Sequence, residues 1–115
     1  NAIRAMVVHE RESDNSLLVA PGFPNAWYEF EEGFKFENLP TYYGELNFEI
    51  VKKGLEATIN ITGDIKIPEG GIRYVIPPKF RKERIELNDK HIEPGLDGEV
   101  AIKSLPAKVE LIYWK

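Results

Sequence analysis

His9, Glu10 and Glu12 set an imidazole beside two carboxylates, a combination that can ligate a metal or move a proton near neutral pH. A metal centre needs several ligands converging on one point. The second histidine, His91, is far away in sequence, and no third spaced ligand accompanies either. The spacing therefore predicts no metal site and no cofactor. Glu29, Glu31, Glu32 and Glu37 are the other carboxylates worth weighing, because glycoside hydrolysis needs two carboxyl groups at a set separation across the scissile bond. Carboxylates at this density also decorate ordinary wet strand faces and turns, and no pair is singled out by position. Ser13, Ser16 and Ser104 lack the Gly-x-Ser-x-Gly setting of a nucleophile elbow, and no glycine-rich phosphate loop is present. Catalytic residues are thus expected to be absent from the chain.

Charge narrows the partners. Lys79, Arg81, Lys82 and Arg84 surround Phe80, but Glu83 and Glu86 dilute the cluster, which reads as a solvated loop stiffened by Pro77-Pro78 rather than an anion site. The formal net charge is -4, against the excess of clustered cations that a phosphate backbone requires, so nucleic acid is not an expected partner. No apolar run approaches the ~20 residues needed to cross a bilayer, and no membrane partner is expected. With no cysteine, neither disulfides nor thiolate zinc can staple the fold.

The aromatic residues are unevenly placed. Eight of the thirteen fall in PGFPNAWYEFEEGFKFENLPTYYG: Phe23, Trp27, Tyr28, Phe30, Phe34, Phe36, Tyr42 and Tyr43. A strand buries alternate side chains, so one small sheet face cannot absorb all of them. Phe34 and Phe36 alternate with Lys35 and Glu37 and belong to a core-facing strand. Trp27, Tyr28, Tyr42 and Tyr43 remain as contact residues, for two different kinds of partner. Trp and Tyr combine large apolar area with a polar tip, which suits an interdomain surface of Trp27 and Tyr28 with Phe30; the second reading is a sugar-stacking site of Trp27, Tyr42 and Tyr43, with Asn38 and Glu45 as hydrogen-bonding neighbours.

The elements that must position these residues are strands. Leu46, Phe48 and Ile50 alternate with Glu45, Asn47 and Glu49; after Lys52-Lys53-Gly54, Leu55, Ala57, Ile59 and Ile61 alternate with polar residues, which predicts a hairpin with one wet face. Gly54 supplies its turn. Pro68-Glu69-Gly70-Gly71 is a second turn, followed by a strand with Ile72, Tyr74 and Ile76 on one face. Ile85 and Leu87, then Val100 and Ile102, then Val109, Leu111 and Tyr113 mark further strands, with Asn88-Asp89-Lys90 as a turn. Ser16–Ala20 is a short apolar strand, and Asn25 is an N-cap for a single helical turn through Tyr28. Asn1–Glu10 fits helical and strand spacing alike. Short strands punctuated by Gly, Pro and Asn predict an all-β fold, a two-sheet antiparallel β-sandwich with a short N-terminal helical or extended segment. At 115 residues it is one domain, spanning 1–115.

The order LLVAPGFPNAW, a strand leading into ENLPTYYGELNFEI, and a Gly-Gly turn before IRYVIP resembles the C-terminal β-sandwich of bacterial six-hairpin, (α/α)6-barrel glycosidase-like enzymes. Gly22-x-Pro24-x-x-Trp27 and Asn38-Leu39-Pro40-Thr41-Tyr42-Tyr43-Gly44 carry the resemblance most specifically; the later strands match in pattern. The resemblance implies a domain cut from the C-terminus of a larger protein, in keeping with a first residue that is not methionine. It also implies a non-catalytic accessory role, packing on and stabilising an upstream helical barrel that holds the catalytic acid and base. A signal peptide, where the parent carries one, would lie upstream and direct it to the periplasm or beyond. The alternatives are a carbohydrate-binding module using an aromatic platform, and a structural or adhesion sandwich.

Overall fold

The computed structural model describes residues 8–21, 33–53, 56–76, 84–95 and 98–112. They form ten strands and, among the described residues, no helix: β1 (Val8–Arg11), β2 (Ser16–Val19), β3 (Phe34–Thr41), β4 (Gly44–Lys53), β5 (Glu56–Ile65), β6 (Ile72–Val75), β7 (Arg84–Leu87), β8 (Lys90–Ile92), β9 (Glu99–Ile102) and β10 (Ala107–Ile112). Two sheets face each other, one of four strands ordered β1-β2-β6-β9 and one of six ordered β3-β4-β5-β10-β7-β8. The all-β sandwich expected from the alternation is therefore the fold. The N-terminal residues that fitted both periods are strand from Val8 onward. The expected Gly54 turn and the helical turn after Asn25 lie outside the described residues.

Alternation builds the core directly. In the six-stranded sheet, Phe48 pairs with Ile61 and Ile61 with Ala107, while Ile50 pairs with Ile59 and Ile59 with Val109. All are buried. In the facing sheet Val8, Val19, Tyr74 and Val100 form one inward row, and Leu17, Ile72 and Ile102 another. The rings of Phe48 and Tyr74 meet between the sheets, with centroids 6.5 Å apart. Side chains one position along point to the other face, where Lys35, Glu49, Asn60 and Lys108 lie side by side across four strands.

One pairing departs from the antiparallel expectation: β2 and β6 run parallel, with Leu17 opposite Ile72 and Val19 opposite Tyr74. Alternation reveals a strand but not the direction of its neighbour. The chain leaves β2, builds β3 to β5 in the other sheet and returns as β6, and a long excursion of this kind is what parallel neighbours require.

The registers sort the connections into two ends. The β1–β2 turn (12–15), the β3–β4 turn at Tyr42 and Tyr43, the β5–β6 link (66–71), the β7–β8 turn at Asn88 and Asp89 and the β9–β10 link (103–106) share one pole. Cross-links hold it: Gly70 N–H donates to Asn15 O at 2.8 Å and Lys66 N–H to Tyr43 O at 3.0 Å. Val8 and Ile112, the first and last described residues, lie at the opposite pole. So do Pro21 and Gly33, which bracket the segment containing Trp27 and Tyr28.

Candidate functional site

Tyr42 and Tyr43 are the two central residues of the β3–β4 turn, between paired Thr41 and Gly44. Its geometry is fixed without help from the tyrosine side chains. Thr41 Oγ1 accepts from Tyr43 N–H at 3.1 Å and donates to Gly44 O at 2.7 Å. Gly44 has φ +137°, and a Cβ there would run into the Asp64 carbonyl, so only glycine fits. Tyr42 N–H donates to Glu10 Oε2 at 2.8 Å, which pins the tip of one sheet to β1 of the other.

The two rings differ in burial. Tyr43 is half-buried and packs against the core, whereas Tyr42 is 85% exposed, the one large exposed hydrophobic side chain among the described residues. The rings stand edge to face, with centroids 5.4 Å apart and planes at 87°. Tyr43 thus buttresses Tyr42 and leaves most of its ring in solvent. On one side of the pair is an open cleft of about 670 Å³ lined by Glu10, Arg11, Glu12 and Asn15; on the other, one of about 600 Å³ lined by Lys66, Ile67, Pro68 and Glu69.

Arg11 anchors the floor of the first cleft. Its guanidinium reaches Glu99 through Nη1–Oε2 at 2.7 Å and Nη2–Oε1 at 3.0 Å, and Asp14 through Nε–Oδ1 at 3.0 Å and Nη2–Oδ2 at 2.7 Å. Ser16, fully buried, donates to Asp14 Oδ1 at 2.6 Å. Hydrogen bonds from Arg11, then Ser16, hold the Asp14 carboxyl far below the usual carboxylate range, and Arg11 lowers that of Glu99 against its partial burial. These carboxylates in turn push the Arg11 guanidinium up, Glu99 more than Asp14. Such bidentate, charge-assisted bonds fix a side chain well. They tie both edge strands of the four-stranded sheet across β2 and β6 and belong to the scaffold.

The sequence candidates separate in space. Tyr42 and Tyr43 come together at the tip. Asn38 does not join them: it sits at a bulge where one extra residue of β3 opposes Asn47, with φ +56° and its N–H donating to Asn47 Oδ1 at 2.8 Å. It faces a shallow groove with Lys35, Glu37, Asn47, Glu49 and Thr62 on the outer side of the six-stranded sheet. Glu45, also expected beside the tyrosines as a hydrogen-bonding neighbour, is paired with Pro40 and Asp64 and lines neither cleft. Trp27 and Tyr28 lie outside the described residues, as do Glu29, Glu31 and Glu32.

Among the described residues, the histidines and Glu37 weighed for chemistry do not converge. His9 is exposed while its neighbour Glu10 turns toward Tyr42 on the other face of β1, and His91 lies on the other sheet, 3.6 Å from Glu93. Glu37 pairs with Lys35 at 3.1 Å. Among the described residues no three His, Asp or Glu side chains gather around a point that could hold a metal. Of the polar neighbours of the tip, Glu10 and Glu12 stood out in the sequence only beside His9, and Asn15, Lys66 and Glu69 carry no sequence signal, since turns distant in sequence bring all five there. Comparison with protein-family models, with curated proteins and with solved structures gives no match to this chain.

Proposed function

We propose that this chain is a non-catalytic accessory domain of a carbohydrate-active, glycoside hydrolase-like enzyme, packing on and stabilising an upstream helical barrel. The nature of that partner rests on the resemblance carried by Gly22-x-Pro24-x-x-Trp27 and the motif from Asn38 to Gly44. The observation that best supports a docking role is the polar arrangement of the sandwich: Val8, Ile112 and the two residues bracketing the Trp27 segment share one end. A preceding domain joined near Val8 would meet that end first, and an aromatic-rich segment anchored there suits a contact surface. The domain itself works as a buttress, adding buried area to the barrel and no reacting groups.

Two measurements test this. The polypeptide preceding Asn1 should carry paired helical hairpins, and the 115-residue chain alone should leave aryl glycosides and oligosaccharides uncleaved. Glycoside hydrolysis by the isolated chain, abolished by a single carboxylate substitution, would overturn the assignment. A preceding sequence without helical pairs would overturn it too.

A further inference from the structure

Turns are normally built from Gly, Asn, Asp, Pro and Ser, each for a conformational reason. The β3–β4 turn takes its shape from Thr41, Gly44 and Glu10, yet presents Tyr42 with 85% of its surface in water. The ring contributes little to the core and is not needed by the turn. A residue that breaks a local rule without a folding gain is expected where function requires it.

We infer that the Tyr42–Tyr43 turn is a stacking subsite for a neutral, equatorially linked pyranose chain, with Glu12 and Asn15 on one side and Lys66 and Glu69 on the other as hydrogen-bonding groups. Three features point to this ligand. First, a pyranose with equatorial substituents offers a flat face of axial C–H groups, which one open aromatic ring covers; the edge-on contact with Tyr43 holds that ring in place. Second, the flanking clefts mix both charges and supply donors as well as acceptors, which suits hydroxyl groups, and they hold no excess of cations that would attract an anionic polymer. Third, a stable protein partner needs several apolar anchors over roughly 800 Å² per side. Tyr42 is the only large exposed hydrophobic side chain among the described residues, so none of these offers it a companion anchor for such an interface, whereas one ring suffices for one sugar. This inference does not rest on the accessory role, because the tip lies at the pole opposite Val8 and Ile112, and either can fail while the other stands.

The test is calorimetric titration of the 115-residue chain with cellohexaose and with xylohexaose, paired with NMR of its tyrosine ring protons. Saturable binding to at least one of the two is expected, with the Tyr42 ring resonances moving along the titration. Tyr42→Ala should weaken binding by about tenfold or more, the scale of one lost stacking contact. Tyr42→Phe should stay within about twofold, and Lys103→Ala, elsewhere on the same pole, should change nothing. Far-UV circular dichroism of each variant should match the parent. No binding of either sugar, an unmoved Tyr42 ring, undiminished binding by Tyr42→Ala, or Tyr42-dependent capture of a protein alone would each overturn the subsite.

Discussion

At the residue scale, the molecule separates side chains that hold the fold from those that do not. Phe48 is fully buried against Tyr74, and Phe48→Ala should cost about 3–5 kcal/mol. Tyr42→Ala should stay within about 0.5 kcal/mol of the parent; urea unfolding of both variants checks the contrast, and a large loss at Tyr42 would make it a structural residue. The alternation of Phe34 and Phe36 with charged residues was enough to place them against the core, and both pack there. The surroundings of Tyr42 were not legible in the same way, because Glu10 and Lys66 reach it through tertiary structure alone. Acid should expose the Arg11 clamp. The carboxyls of Asp14 and Glu99 are depressed in the folded state, so their contribution is full above the unfolded values of about 4 and is lost as pH falls through the folded ones. Arg11→Met should flatten the decline in urea midpoint below pH 4; an unchanged slope would mean that the clamp adds nothing.

At the element scale, β3 shows what a strand pattern can and cannot tell. Strict alternation from Phe34 would put Asn38 and Pro40 inward, but the bulge shifts the parity so that Leu39 and Thr41 turn toward the core. Asn38 accepts the left-handed conformation this demands, which costs most residues about 1–2 kcal/mol. Asn38→Gly should therefore be nearly neutral in thermal melts, whereas Asn38→Val should be destabilising by about that amount; equal stabilities would show that the bulge relaxes. In the sequence Asn38 reads as a hydrogen-bonding neighbour of the tyrosines, and Pro40 only as part of the motif from Asn38 to Gly44. Their physical role is to set the strand's facing and to interrupt a sheet edge that would otherwise invite pairing. The parallel β2–β6 neighbours had no local signal at all, since direction is decided by where the intervening strands go.

At the scale of the whole molecule, the sandwich has two unlike ends. One is a cross-linked set of turns carrying the exposed tyrosine; the other holds Val8, Ile112 and the residues that bracket Trp27 and Tyr28. Tyr42 and Tyr43, the last pair of the aromatic run, are separated from Gly33 by the eight residues of β3, roughly 25 Å at 3.3 Å per residue. The proposed docking surface and the proposed sugar subsite therefore fall at different poles. Hydroxyl-radical footprinting of the complete polypeptide, compared with the 115-residue chain, tests this separation most directly by reading tyrosine and tryptophan side chains individually. Trp27 and Tyr28 should become protected several-fold in the complete protein while Tyr42 is labelled at the same rate in both. Protection of Tyr42 with no change at Trp27 would contradict it.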